Sequence, residues 1–491
     1  MAENGEKKIK NPIKSFLDKN ADEGYVPNRE LLQFSTALSG QNMTYGIVSG
    51  WLFYFCTNIL KIRPMQVGLI TSISRIWDGV NDPIVGTLID RIPPKNGLKL
   101  HRYLGKIALV IGFLTVLLFV DPGFSETGMI AWVLVVYILW DMTYSFQDVA
   151  LWGTLSLISP HSEERTRASQ WVTIGATLGG AVVGLIPVLM DISNKIGMSE
   201  RTLFFICALV FGLGGESISM LALKTKERIA HPPEENQESF LKQLFAIRHN
   251  KIMIALILAQ TLNGLSLTVP WIYFFKYCVS YTVGGKVIAG ESIQFIYSLL
   301  TSIPGAFCML IATKMMKKLG GAKKALMFAQ ISSIVIRFIC FFIGFDTIPK
   351  LIAVAALMAV SSIPTGIMSI VNRSFLCDSI DYMEWKTGRR TEGIVSSLQN
   401  FVAKIGSALQ SFINGLILEL LHFDANIEGI EGQPPEFYKW QWPLFILGPA
   451  VGAALYLIPM FFLKYTDEER AEVENALKEK RAVKAEISED M

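Results

Sequence analysis

Three groups of polar residues lie inside otherwise apolar stretches, and their spacing limits the chemistry open to them. The run SRIWDGVNDPIVG carries Arg75, Asp78, Asn81 and Asp82. Arg75, Asp78 and Asp82 stand at i, i+3 and i+7, one face of a helix, with Asn81 beside them. Two carboxylates one turn apart repel each other, and a bound monovalent cation or a proton removes that repulsion. Carboxylate and amide oxygens are hard ligands, which suits Na+ or Li+ better than a soft metal. The competing reading is a buried ion pair in which Arg75 neutralises one aspartate; it leaves the second carboxylate without a purpose.

The run DMTYSFQDVALW carries Asp141, Ser145, Asp148 and Trp152 at i, i+4, i+7 and i+11, again one stripe. A carboxylate one turn from an indole suits a polyhydroxylated ring. The carboxylate accepts from hydroxyls and the indole covers the apolar C–H face. Trp152 alone also fits an interfacial belt, and Asp141 also fits an ion pair near the start of its helix. The third group is Lys404 in QNFVAKIGSALQSF, with no acidic residue within a turn. It needs a carboxylate on another helix or a polar cavity. A charge at the centre of a bilayer costs roughly 2.5–3.5 kcal/mol on an insertion scale, so each of these residues asks for a reason. Arg337, Arg373, Asp378 and Asp381 are further charges in or near apolar segments, and Asn263 with Gly264 marks a candidate helix break.

The elements that hold these residues follow from composition. Of 491 residues, 51% are hydrophobic and 18% charged, against about 25% charged in soluble domains. The apolar residues form long runs separated by short charged segments, as in a membrane protein. Twelve segments are long enough to span: 32–60, 65–90, 103–121, 127–158, 168–193, 202–223, 251–280, 290–314, 322–345, 349–377, 392–420 and 441–465. The expected fold class is therefore an all-α membrane protein with twelve transmembrane helices in two six-helix halves.

Basic residues cluster in alternate loops: Arg91, Lys95, Lys99 and Arg102; Lys224, Lys226, Arg228, Lys242 and Arg248; Lys314, Lys317, Lys318, Lys323 and Lys324; Lys386, Arg389 and Arg390. Roughly 20 basic residues fall in even-numbered loops against about 7 in odd ones, which places both termini in the cytoplasm. The organisation expected is a cytoplasmic N-terminal segment (1–31), a first six-helix bundle (32–224), a central cytoplasmic linker (225–250), a second bundle (251–465) and a cytoplasmic tail (466–491). The tail, rich in Glu, Lys and Ala, reads as a solvated helix with opposite-charge pairs. The polar N-terminus does not read as a signal peptide.

Several function classes are disfavoured. The six cysteines lie in or beside apolar runs without a CxxC and read as packing residues. The net charge of +3 says little about partners, and there is no basic arm with interleaved aromatics to suggest nucleic acid. There is no nucleotide-binding Gly-rich loop, no HExxH and no Ser–His–Asp grouping among the five histidines. An enzyme, an ATP-driven pump and a cofactor-dependent protein are not expected. A membrane sensor would want a signalling domain larger than the short tails.

Gly86, Leu88, Asp90 and Arg91 resemble the G-x-L-x-D-R loop signature of the major facilitator superfamily, whose members bind substrate near the bilayer midplane. The runs RIWDGVNDP, MTYSFQDVALW and DSIDYMEWKTGRRTEGIVSSLQNFVAKIGSA together resemble the glycoside–pentoside–hexuronide:cation symporter family, over about residues 31 to 465. The resemblance implies cation–sugar symport by alternating access in a bacterial cytoplasmic membrane, most simply by a monomer. It implies a cation site at Asp78, Asn81, Asp82 and Ser145, with Na+ or another monovalent cation as co-substrate. It implies sugar contacts at Asp148 and Trp152, with Tyr144, Gln41, Asn42, Gln399 and Asn400, and coupling roles for Lys404 and Arg75. Ser145 stands where the family's melibiose carrier has a threonine, which keeps the hydroxyl.

Two departures concern the sugar. A helix-one Lys–Asp pair of that carrier corresponds to the neutral Gln41 and Asn42. Its helix-five arginine has no counterpart between about Ala168 and Thr173, after Arg167. The cation residues are thus better kept than the sugar residues. A carrier of lysolipids, as among animal relatives of the family, is the alternative of the same fold.

Overall fold

The computed structural model describes residues 25–91, 100–229, 248, 250–309, 311–387, 392–427 and 429–489. Most of the 1–31 segment and of the 225–250 linker, together with Lys95, Lys99, Lys242, Arg389 and Arg390, lies outside the described residues, as do the side chains of Asp90 and Arg91.

Helices dominate. They are α1 (Asn28–Tyr54), α2 (Pro64–Arg91), α3 (Lys106–Leu118), α4 (Glu126–Leu157) and α5 (Ser162–Val183, followed by Ile186–Lys195). Next comes α6, built as Glu200–Cys207, a π-helical stretch Ala208–Gly214, and Gly215–Ser219. Then follow α7 (Lys251–Asn263), α8 (Trp271–Cys278), α9 (Gly290–Met309), α10 (Ala322–Ile343), α11 (Ile348–Thr387) and α12 (Glu392–Leu420). The chain ends with α13 (Pro435–Ile446), α14 (Gly448–Phe462) and α15 (Asp467–Glu489). Among the described residues one antiparallel hairpin, Ser280–Val283 with Lys286–Ala289, interrupts the helices between α8 and α9.

Among the described residues seven helices are long and apolar enough to cross a membrane, or eight when α13 and α14, bent by 44°, count as one span. The twelve segments expected from sequence are not all counted this way, for physical reasons. α2 carries Arg75, Asp78 and Asp82 in its middle. The seventh segment breaks after Asn263, leaving α7 with 13 residues and α8 with 8 residues. Large apolar side chains such as Phe113, Phe307, Phe342, Phe461 and Phe462 are exposed, where a multi-pass membrane protein meets lipid.

The chain divides into two compact units, Met1–Leu60 with Asn81–Glu234, and Lys61–Val80 with Glu235–Met491. In the first unit α5 lies against α1 at Gly175 and Gly179, where any side chain would strike the Ser35 and Ser39 carbonyls. Ser35 Oγ donates to the Trp171 carbonyl at 2.6 Å. Small residues four apart let membrane helices approach this closely. Phe34, Leu38, Val85, Ile89, Leu104 and Leu151 fill the core. Arg228 pairs with Glu30 at 2.7 Å.

In the second unit the start of α2 packs on α12. Gly68 faces the Ser411 carbonyl and Gly415, and Ser72 Oγ donates to the Ala408 carbonyl at 2.7 Å. The break after Asn263 is bridged from α12, where Gln410 Nε2 donates to the Ser266 carbonyl at 3.1 Å and to Thr268 Oγ1 at 2.7 Å.

The tail refines an expectation. α15 exposes charged residues such as Glu468, Glu472 and Lys478, but Val473 and Leu477 are buried with Phe375, Tyr382 and Tyr465. Lys251 Nζ donates to Glu469 Oε2 at 2.6 Å, and Arg470 pairs with Asp378 at 3.0 Å. The apolar pair at i and i+4 makes one face of this charged helix part of the unit's core.

Candidate functional site

The first unit contains two hydrogen-bonded groups joined by α4. The first is built from α1 and α4. Gln41, almost fully buried on α1, donates through Nε2 to Asp148 Oδ1 at 2.8 Å and to the Tyr144 hydroxyl at 2.6 Å. Asn42 Nδ2 donates to Gln41 Oε1 at 3.0 Å and so orients that amide. Trp152 Nε1 donates to the same Asp148 oxygen at 3.2 Å, across one turn of α4. Tyr144 is braced by Trp140, stacked at 4.8 Å, and by Tyr45 at 5.6 Å. The Trp152 ring is 44% exposed, so its face is open to a ligand while its N–H is engaged. A fixed carboxylate can accept hydrogen bonds from hydroxyls, and an open indole beside it can cover an apolar C–H face.

The second group is built from α2 and α4. Asn81 Nδ2 donates to Ser145 Oγ at 3.1 Å, and Ser145 Oγ donates to Asp82 Oδ1 at 3.0 Å. Asn81 and Ser145 are each 2% exposed. The set offers a carboxylate, an amide and a hydroxyl, all hard oxygen donors. Among the described residues no group of three or more His, Cys, Asp or Glu side chains converges. Ser145 and Asp148 are separated by one turn of α4, which ties the two groups together.

In the second unit Lys404 Nζ meets Asp78 Oδ1 at 2.6 Å, the carboxylate partner that its place in α12 demands. Lys404 thus supplies a cation beside Asp78. Arg75 is half-buried on α2, Gln399 half-buried and Asn400 exposed on α12. Asp141 is buried in the middle of α4, not near its start. Arg167 is committed elsewhere, bonded to Glu164 at 2.8 Å and to the Val26 carbonyl at 2.8 Å. Arg337 donates to the Ile446 carbonyl at 3.3 Å, Arg373 is exposed, and Asp378 holds Arg470.

The most deeply buried acid among the described residues escaped the sequence reading. Glu216 on α6 is fully buried and accepts from Gln147 Nε2 at 2.7 Å. A lone glutamate in the apolar run FGLGGESISM was the available signal.

The profile of the family described as MFS/sugar transport protein matches residues 33–467. The isoprimeverose transporter of Lactiplantibacillus pentosus is 24% identical over 444 residues, covering 89% of each chain. A protein of Escherichia coli (strain K12), provisionally named glycoside/cation symporter YagG, is 27% identical over 444 residues, 89% of this chain and 92% of the other. Among solved structures, the inward-facing, unoccupied bacterial homologue of the human lysosomal transporter Spinster superposes with a TM-score of 0.61 at 12% identity, over 89% of this chain and 97% of the other. At that identity the likeness establishes the fold alone. A profile match across most of the chain, on a helical fold shared with such transporters, establishes that this chain belongs to the MFS/sugar transport protein family.

Proposed function

We propose that the chain is a secondary active transporter that carries a sugar or glycoside together with a monovalent cation, Na+, Li+ or H+. The observation that carries this reading is the network of Gln41, Tyr144, Asp148 and Trp152, held one turn of α4 from Ser145, Asn81 and Asp82. Relatives named for isoprimeverose and for glycoside/cation symport support the substrate class. The basic loops support a bacterial cytoplasmic membrane with both termini inside. The protein needs no cofactor, performs no covalent chemistry and works as a monomer in this reading.

The cation enters first and neutralises Asp82, the helix-two carboxylate held beside Asn81 and Ser145. α4 then holds Asp148 and Trp152, with Gln41 and Tyr144, in the geometry that accepts the sugar. Only the empty or the doubly loaded carrier reorients. Sugar must tighten cation binding by the factor by which cation tightens sugar binding. Gln41 and Asn42 supply neutral hydrogen bonds where charged contacts occur in the melibiose carrier, which favours a different glycoside from melibiose.

The test is thermal unfolding of the purified protein in detergent with glycosides, pentosides and hexuronides, each in Na+, Li+ or K+ alone. A ligand at 100 times its dissociation constant stabilises by about 2.7 kcal/mol. A sugar shift that grows with Na+ or Li+ supports the reading and names the ion. A shift with a lysolipid and none with any sugar refutes the substrate class.

A further inference from the structure

Glu216 lies in the first unit just beyond the π-helical stretch of α6, and the sugar and cation groups do not use it. π-helical stretches inside α-helices recur at functional sites. Among the described residues, the side chains that meet Glu216 are neutral. α1 brings Thr44, and its Gly40 backbone abuts Gly215. α3 brings Gly112, which leaves room for the Glu216 Cβ. α4 brings Gln147, and α6 itself brings Ser219. The side chains acting on the carboxyl are Gln147, Ser219 and Thr44; the acids of α4, Asp141 and Asp148, Tyr45 of α1 and Lys106 of α3 are not among them.

Counting donors shows what this group lacks. Gln147 Nε2 donates to Glu216 Oε2 at 2.7 Å and to Ser219 Oγ at 2.9 Å, which uses both amide hydrogens. Ser219 Oγ lies 2.8 Å from Glu216 Oε2 and 2.7 Å from the Glu216 carbonyl. Thr44 Oγ1 donates to the Phe211 carbonyl at 3.0 Å. Two buried acceptors then face no donor, Glu216 Oε1 and Gln147 Oε1. They belong to the two side chains already joined by one bond. A carboxylic acid and a primary amide close a ring of two hydrogen bonds when the acid carries its proton: amide N–H to acid oxygen, acid O–H to amide oxygen. One proton supplies the missing donor, satisfies both acceptors and removes a charge from an interior without a countercharge.

We propose that Glu216 and Gln147 form a proton-binding site in which the Glu216 carboxyl carries a proton and donates it to the Gln147 amide oxygen. The ligand is H+ itself, and the site is separate from Asn81, Asp82 and Ser145. It stands whether or not the substrate is a sugar. Gln147 lies between Ser145 and Asp148 in sequence, so a displacement of α4 changes the acceptor that holds this proton.

The test is infrared spectroscopy of the purified full chain in detergent at neutral pH, wild type minus Glu216→Gln. The expected difference is one protonated-carboxyl carbonyl band, present in the wild type and lost in the variant. Gln147→Leu is expected to shift that band, because the O–H loses its acceptor. Ionised-carboxylate bands in place of the carbonyl band overturn the proposal. If Glu216→Gln does not fold, the wild type minus Gln147→Leu difference reads the same band, and no shift in it overturns the proposal. Thermal unfolding gives a second readout. A folded state that keeps the proton while the unfolded chain loses it becomes less stable as pH rises. The wild-type Tm therefore falls relative to the Glu216→Gln Tm as pH is raised above the ordinary carboxylate range. A difference that stays flat or moves the other way contradicts the site.

Discussion

Lys404 Nζ donates to the Asp78 carboxylate at 2.6 Å and to the Asp78 backbone carbonyl at 3.2 Å. The two side chains are 21% and 16% exposed, and they lie 326 positions apart in the chain. The contact pins α2 to α12 inside the second unit and provides Asp78 with a countercharge.

Removing one partner leaves a charge that water screens only in part. Lys404→Gln and Asp78→Asn are each expected to destabilise by about 2 kcal/mol, below the 3–5 kcal/mol of a fully buried pair. The double variant is expected to recover most of that loss. Thermal unfolding of the four proteins in detergent gives the coupling energy; additive losses would show that the pair contributes nothing.

The Gln41–Asp148 bond predicts different outcomes for two conservative changes. Asp148→Asn removes the charged acceptor and is expected to weaken sugar binding at least tenfold, about 1.5–3 kcal/mol for a bond to a charged group. Gln41→Glu places a second carboxylate against the first and is expected to weaken binding in a pH-dependent way. Titration calorimetry with a stabilising sugar checks both. Sugar affinity unchanged in Asp148→Asn would remove this residue from the site.

Ser145 offers a hydroxyl between Asn81 and Asp82. Ser145→Thr is expected to keep cation-dependent stabilisation, and Ser145→Ala to weaken cation affinity about tenfold through loss of one oxygen. The ion concentration that gives half of the thermal shift measures this. Equal behaviour of the two variants would place the cation elsewhere.

The tail helix carries buried apolar residues, so it contributes to folding. Leu477→Ala is expected to destabilise the second unit by about 2–3 kcal/mol, at the lower end for a buried leucine. Arg470→Ala adds loss of the Asp378 pair. Chemical unfolding followed by tryptophan fluorescence tests this; an unchanged midpoint for Leu477→Ala would mean that α15 docks without stabilising.

Much of the site was legible because helical spacing by itself places residues on one face. The Asp148–Trp152 contact is a single i, i+4 relation. Spacing grouped Asp82 with its neighbours on α2 and Ser145 with its neighbours on α4, whereas only the family resemblance joined Asn81 and Asp82 to Ser145. Lys404 announced its need for a carboxylate, but sequence spacing cannot choose a partner on a distant helix, and the intrahelical pair of Arg75 with an aspartate was the local alternative. Gln41 read as a lost charge; its work as a bridge between Asp148 and Tyr144 depends on the packing of α1 on α4. Glu216 was missed because it belongs to no stripe. Val473 and Leu477 were overlooked among charges, although their spacing marks a buried face. The break after Asn263 was legible from Asn–Gly chemistry, whereas its repair by Gln410 was not.

The central claim is coupled transport, and uptake by proteoliposomes tests it most directly. The purified protein is reconstituted, and entry of a radiolabelled glycoside is measured with an inward gradient of Na+, Li+ or H+, and with none. The account predicts uphill accumulation with one of these gradients, collapse of accumulation when the gradient is dissipated, and loss of ion dependence in Asp82→Asn. Accumulation that is indifferent to every cation gradient, or full gradient-driven uptake by Asp82→Asn, would contradict it.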